Sequence, residues 1–401
     1  MSLNSTPNAD RVHIGIFGRR NAGKSSLINA VTGQSLAIVS DMKGTTTDPV
    51  SKAMEILPLG PVVVIDTPGL DDTGELGELR IKKTYQVLNK TDIALLVIDS
   101  TTGITKYDND ILDKIKLKAI PFLIVYNKCD ISDYEAKSES EISVSSLTGK
   151  NINELKEKIA KLLPEYKPEY PIISDKVSSG DTVVLVIPID SSAPKGRLIL
   201  PQQQTIRELL DCGCTSVMCR ETELAETLAS LKKLPKYVVT DSQAFKKVSA
   251  IVPDDVCLTS FSILFARHKG NLEEQVRGAA ALDKLNDNDT VLISEGCTHH
   301  RQCGDIGTVK LPNWISRYTG KKLNYEFTSG TEFPTELSSY SLIVHCGGCM
   351  LNEREMKYRI KCANDEGVPI TNYGMTIAYA NGILERSLEI FPEIKRILSA
   401  F

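Results

Sequence analysis

Short apolar runs alternate with stretches of helical periodicity from the start of the chain. Val12–Phe17, Val62–Ile65, Ile93–Ile98, Phe122–Tyr126 and Ile142–Val144 are near-continuous apolar segments and are predicted as buried strands. Between them Ser25–Val31, Gly77–Leu88, Asn109–Leu117 and Ile152–Leu163 carry apolar residues at helical spacing. Such alternation predicts a largely parallel sheet with helices on both faces. Lys167-Pro168-Glu169-Tyr170-Pro171 reads as a linker, because its prolines hold a short extended segment. The rhythm then resumes with a strand at Val183–Ile187 and a helix through Thr205–Leu210 after Pro201, continuing through Leu224–Leu231, Tyr237–Thr240, Ala244–Ile251 and Val256–Phe261. A third set follows His268, with strands at Thr290–Ser294, Asn324–Phe327, Ser341–Val344 and Pro369–Thr371 and helices at Arg354–Asp365 and Met375–Leu384. The expected fold class is α/β in three parts: a domain with a mostly parallel sheet over 1–166, a small α/β middle domain over 172–265, and an α/β domain over 266–401. No internal repeat or low-complexity tract is visible in the sequence.

Composition narrows the class. The 401 residues are 41% hydrophobic and 24% charged, as in ordinary globular proteins. A net charge of −4 gives no electrostatic footprint for nucleic acid. No apolar run approaches the roughly 20 residues that span a bilayer, so no membrane partner is expected. The polar segment Met1–Asp10 lacks the apolar core of a signal peptide. A cytoplasmic location is therefore expected, where the ten cysteines are thiols.

Gly18-Arg19-Arg20-Asn21-Ala22-Gly23-Lys24-Ser25 fits the phosphate-binding loop pattern G-x-x-x-x-G-K-S, directly after a predicted strand and before a predicted helix. Backbone N–H groups of Gly18, Ala22, Gly23 and Ser26 and the helix N-terminus would face the phosphates. Lys24 would neutralise the β- and γ-phosphates and Ser25 would ligate Mg²⁺. Asp66-Thr67-Pro68-Gly69 ends the next strand, so Asp66 can reach the metal shell and Gly69 can donate its N–H to the γ-phosphate. Asn127-Lys128-Cys129-Asp130 follows the Phe122–Tyr126 strand, and Asp130 can accept from the guanine N1–H and 2-amino group. Ser145-Ser146-Leu147 takes the place of the last base-contacting loop. Three motifs in order at strand ends predict GTP as the bound nucleotide.

On these residues the first part resembles the translation-factor-related GTPases, and among them the group of the tRNA-modification GTPase and Era. The resemblance implies K⁺ beside the phosphates, held by Asn21, which is otherwise a turn residue. It places switch I at Lys43-Gly44-Thr45-Thr46-Thr47, with Thr46 closing on Mg²⁺ and Thr45 as the alternative. Leu70 stands where Ras-type proteins have a water-orienting glutamine, and the resemblance puts Glu78 at the catalytic glutamate. Asp71, Asp72 and Glu75 are nearby competitors, and a solvated acidic loop is the plain alternative.

The cysteines divide into two groups. Cys212, Cys214 and Cys219 lie close together in the middle part and read chiefly as small buried hydrophobes. That part carries no evident catalytic set and is expected to serve dimerisation or docking. Cys297-Thr298-His299 and His345-Cys346-Gly347-Gly348-Cys349 follow two predicted strands, at the carboxyl ends where open α/β sheets place ligands. From the spacing alone, a structural zinc site and an iron–sulfur cluster both fit. Cys303 lies near Cys297, Cys362 falls inside a predicted helix, and His300, His13 and His268 carry no argument.

The pattern C-x-H…H-C-x-x-C resembles that of the maturation GTPases of [FeFe]-hydrogenase, and the resemblance covers nearly the whole chain. It implies a [4Fe–4S] cluster on Cys297, Cys346 and Cys349, with His299, His345 and Asp305 as candidates for the fourth position beside an outside molecule. It implies a GTP-hydrolysing scaffold, expected as a homodimer, that works with two radical-SAM maturases and delivers a di-iron precursor to the apo-[FeFe]-hydrogenase. The other reading is an RNA-linked GTPase of tRNA modification or ribosome assembly with a structural zinc.

Overall fold

Valine, isoleucine and leucine fill the strands, and their alternation assigns each residue to one face of a sheet. The computed structural model describes residues 6–33, 49–69, 75–132, 134–162, 170–189, 198–296, 305–330, 332–334 and 336–398. Its contacts divide the chain into Met1–Lys167 and Pro168–Phe401.

The first unit is a six-stranded sheet. Its strands are β1 (Val12–Phe17), β2 (Val50–Ile56), β3 (Gly60–Asp66), β4 (Ile93–Asp99), β5 (Phe122–Asn127) and β6 (Glu141–Ser143), in the spatial order β2-β3-β1-β4-β5-β6. All pairs are parallel except β2 with β3. In β3, Val62 and Val64 pack with Leu27, Val31, Leu155 and Ile159 of helices Lys24–Thr32 and Ile152–Lys161. Val63 and Ile65 turn to the other face, with Leu88, Ile111 and Ile115 of helices Glu75–Leu88 and Lys106–Leu117. The sheet is thus sandwiched as the sequence predicts. The pattern did not reveal β2, an edge strand that is mostly exposed or half-buried and has no apolar run.

The second unit holds two four-stranded parallel sheets. The first contains β7 (Thr182–Val186), β8 (Thr215–Cys219), β9 (Tyr237–Thr240) and β10 (Cys257–Ser260), ordered β10-β9-β7-β8. The second contains β11 (Thr290–Ser294), β12 (Asn324–Thr328), β13 (Leu342–His345) and β14 (Ile370–Asn372), ordered β12-β11-β13-β14. The two orders are the same topology. In each, the first strand is followed by a neighbour on one side and then by the third strand on the other, which makes a switch point where open sheets hold ligands. One apolar cluster takes Val183–Val186, Val238 and Leu258 of the first sheet together with Phe261, Val276, Met375, Leu384 and Phe391. The expected boundary between residues 265 and 266 falls inside helix Phe261–Lys269. Among the described residues no helix is long and apolar enough to cross a membrane.

Candidate functional site

The chain leaves β1 through Gly18, at φ 144°, and Gly23, at φ 91°. Both angles favour glycine, and side chains are excluded as well. A Cβ on Gly18 would lie 2.2 Å from the Val97 carbonyl oxygen, and one on Gly23 would lie 2.1 Å from Asn127 Nδ2. Helix Lys24–Thr32 starts with no side-chain cap, so its first N–H groups remain for a phosphate. The Lys24 side chain is buried and donates to the Gly18 and Arg19 carbonyls, both at 2.9 Å. Asn21, at φ 61°, and Ser26 are exposed at the mouth of the loop.

Ser25 Oγ donates to Asp66 Oδ2 at 2.9 Å. Burial pushes the Asp66 carboxyl up, opposed by the Lys24 charge and the Ser25 hydroxyl. Asp66 Oδ1 is buried with no hydrogen bond among the described residues. A buried carboxylate oxygen without a donor beside a hydroxyl suits a hard divalent cation, and the pair fits Mg²⁺. Gly69 approaches Arg20, where an added Cβ would lie 2.9 Å from the Arg20 nitrogen.

Asn127 is 2% exposed at the end of β5. Its Nδ2 donates to the Ala22 carbonyl at 3.1 Å, and its Oδ1 accepts from Ser146 N at 3.0 Å and Ser146 Oγ at 2.9 Å. Lys128 donates to Asp99 Oδ2 at 2.6 Å. Burial raises the Asp99 carboxyl, but the Lys128 ammonium and Thr101 outweigh it and hold Asp99 below the usual range. Ser145 is buried, whereas Asp130 and Leu147 are exposed beside this clamp. Thus the phosphate loop, the Asp66–Gly69 segment and the Asn127–Asp130 and Ser145–Leu147 loops gather at one end of one sheet. Thr45, Thr46, Leu70, Asp71 and Asp72 lie outside the described residues, as do the side chains of Glu75 and Glu78.

The motifs did not disclose one part of this site. Arg19 pairs with Asp108 through Nε at 3.3 Å and donates to Thr102 Oγ1 at 2.7 Å. Asp108 is fully buried and also accepts from Thr105 N at 2.9 Å and Thr105 Oγ1 at 2.7 Å, capping helix Lys106–Leu117. The T-x-x-D spacing signals the cap, but nothing in sequence links it to Arg19.

The second constellation lies at the switch point of the second four-stranded sheet. Ser294 and His345 are register partners in β11 and β13, so the residues that follow them emerge side by side. Cys346 N donates to the Ser294 carbonyl at 2.9 Å. Gly296 N lies 3.0 Å and Gly348 N 3.5 Å from Cys346 Sγ, both donating towards sulfur. Burial pushes the Cys349 thiol up to about 11, with Cys346 adding and Lys269 opposing. Amides aimed at a cysteine sulfur suit a metal-bound thiolate, so Cys346 fits an iron–sulfur centre. Cys297, His299, His300 and Cys303 lie outside the described residues.

The candidates for the fourth position fare unequally. His345 is 1% exposed, with Nδ1 2.7 Å from the Cys346 carbonyl and Nε2 2.9 Å from Arg359 Nη1. Arginine can only donate, so Nε2 accepts and Nδ1–H donates. In this arrangement both ring nitrogens of His345 are engaged by protein groups. Asp305 caps the following helical segment, accepting from Thr308 N at 2.9 Å and Thr308 Oγ1 at 3.1 Å through Oδ2. Two neighbours were not foreseen. Tyr373 donates to Glu295 Oε1 at 3.3 Å, and burial raises its phenol, with Cys346, Glu295 and Asp305 adding negative charge.

In the middle part, Cys214 is buried and donates to the Ser178 carbonyl at 3.3 Å, and burial raises Cys219. Among the described residues no three His, Cys, Asp or Glu side chains are grouped to hold a metal ion.

Comparison with known proteins follows the same division. Residues 13–128 match the family described as 50S ribosome-binding GTPase. Residues 172–270 match the Hydrogen maturase F dimerization domain, and residues 273–390 its tetramerization domain. A tRNA modification GTPase MnmE of Chromobacterium violaceum is 36% identical over 38% of this chain and 35% of its own length. GTPase Der of Wolinella succinogenes is 34% identical over 40% of this chain and 37% of its own length. The matches thus span little more than a third of these curated relatives. Aquifex aeolicus Era bound to GDP.AlF4- is 22% identical, with a TM-score of 0.34 over 51% of this chain and 91% of that one. The two maturase matches together span more than half of the sequence, and the P-loop fold precedes them. The chain therefore belongs to the hydrogen maturase F family, with a GTPase domain at its head that is similar to that of MnmE.

Proposed function

We propose that this protein is a GTP-hydrolysing scaffold and carrier for the di-iron subcluster of [FeFe]-hydrogenase. The observation that carries this reading is Cys346, set at the switch point of a parallel sheet with two backbone amides on its sulfur. It lies in a chain whose nucleotide loop is already formed.

In this reading Asp130 reads the guanine edge and Lys24 binds the β- and γ-phosphate oxygens. Ser25, Asp66 and Thr46 hold Mg²⁺, and Asn21 holds K⁺. Bound there, the cations would neutralise charge that builds on the transferred phosphoryl group. The Gly69 amide meets the γ-phosphate, and Glu78 orients the attacking water in place of the glutamine that Leu70 replaces. Cys297, Cys346 and Cys349 would hold a [4Fe–4S] cluster, which would supply an exchangeable coordination position for the precursor. Asp305 and His299 stand as its candidate protein neighbours. The nucleotide state gates partner binding by ordering the switch loops. The partners are two radical-SAM maturases and the apo-hydrogenase, in the cytoplasm. The family's dimerization and tetramerization domains support a homo-oligomer. An RNA-linked GTPase with a structural zinc is less favoured, because the chain after residue 172 matches maturase domains.

Metal analysis of the anaerobically reconstituted full chain tests the reading. Iron and acid-labile sulfide are expected at about four of each per chain, as a [4Fe–4S] cluster requires. Zinc without sulfide would contradict it. Hydrolysis is also expected to run faster in K⁺ than in Na⁺ at equal ionic strength, and equal rates would remove the role given to Asn21.

A further inference from the structure

Helix Glu353–Asp365 begins just after the cysteine loop. Gly348 passes over its first turns, where an added Cβ would lie 2.7 Å from Met356 Sδ. One turn further on, Arg359 is completely buried. Its Nη2 donates to Glu355 Oε1 at 2.6 Å and to the Gly330 carbonyl at 2.9 Å. Its Nη1 reaches His345 Nε2 at 2.9 Å and Ser294 Oγ at 3.4 Å. The guanidinium also lies over the Phe333 ring, at 5.1 Å. Through His345 this network ends on the Cys346 carbonyl, at 2.7 Å. An ion pair buried this deeply is poor evidence for stability as such, which makes a positioning role the hypothesis to test.

We propose that Arg359 is a positioning residue of the cysteine centre: held by Glu355, its guanidinium turns His345 into a brace on the Cys346 backbone. The inference rests on the cluster reading and deepens it. His345 thus fixes the approach of the thiolate and does not bind iron. The planar fork of Arg359 makes its bonds to Glu355, Gly330 and His345 together, and a lysine ammonium cannot reproduce that geometry. Outer partners of this kind commonly change metal affinity by about 10–100-fold when removed.

The test uses the full chain, reconstituted anaerobically with iron and sulfide. The variants are Arg359→Lys and the paired Arg359→Met/Glu355→Leu, which leaves no buried charge unpaired. Circular dichroism first identifies which of them fold. A folded variant is expected to lose iron to a chelator about 10-fold faster. At equal iron loading it is also expected to give an altered EPR spectrum, which a purely structural role would leave unchanged. In the wild type with isotopically labelled histidine, no coordinated-nitrogen coupling that vanishes in His345→Gln is expected. Such a coupling would make His345 a ligand and overturn the inference, as would a folded variant with wild-type iron retention and spectrum. A wild type that takes up no iron would fail before any variant is compared, and would defeat the cluster reading and this inference together.

Discussion

The amide of Asn127 ties three segments of the nucleotide site at once. Its nitrogen holds the phosphate loop at Ala22, and its oxygen holds the Ser146 backbone and hydroxyl. Asn127→Ala leaves these buried groups unsatisfied, at about 1–3 kcal/mol. The expected outcome is a lower melting temperature together with weaker GTP binding by calorimetry. Unchanged affinity would show that the clamp is not part of the site. Asp130 is exposed beside this clamp, free to meet a base. Asp130→Asn loses a charge-assisted pair of about 1.5–3 kcal/mol, so GTP affinity falls while stability holds. Equal binding of ATP and GTP by the wild type would defeat the assignment. Gly18, Gly23, Lys24, Ser25 and Asp66 were legible because phosphate chemistry demands those residue types at that spacing. The Arg19–Asp108 and Arg359–His345 contacts were not, because no spacing rule links residues on different elements and an arginine suits a solvated surface equally well.

Helix Lys106–Leu117 shows how an element end is tied to a site. Thr105 and Asp108 form its capping box, and Asp108 simultaneously anchors Arg19 of the phosphate loop. Asp108→Ala is expected to destabilise the first unit by about 1.5–3 kcal/mol, because charged hydrogen bonds are lost. It should also weaken GTP binding, and a stability loss with full affinity would confine Asp108 to the cap. In the second unit Asp175 meets Arg267 of helix Phe261–Lys269 at 2.9 and 2.5 Å. Burial raises the Asp175 carboxyl, but Arg267 outweighs it and the net shift is downward. A depressed carboxyl stabilises the fold above its unfolded value, near pH 3.9, and the gain is lost as pH falls through the folded value. Asp175→Asn should therefore cost about 1 kcal/mol at neutral pH, given partial exposure. The gap from wild type should close below about pH 4. A gap independent of pH in thermal denaturation would contradict the pairing. The buried parallel strands were legible as apolar runs. Edge strands β2 and β8 were not, because half their side chains face outward and a polar residue there costs nothing.

At the scale of the molecule, the two sheets of the second unit share one strand order although no repeat is visible in sequence. Topology depends on which runs are apolar, and many sequences meet that demand. The same permissiveness hid the shared core, in which Met375 and Phe391 pack with strands nearly two hundred residues earlier. Lys24 and Cys346 belong to different units, so their functions should be separable. Lys24→Ala is expected to abolish GTP hydrolysis and keep iron, and Cys346→Ser to do the reverse. Loss of both in either folded variant would contradict that division. The central claim is most directly tested by activating purified apo-[FeFe]-hydrogenase with this protein, loaded in the presence of the two maturases. Hydrogen evolution is expected to appear with the wild type and to be lost with folded Cys346→Ser in step with its iron. Equal activation by the two proteins, or none by an iron-loaded wild type, would contradict the account.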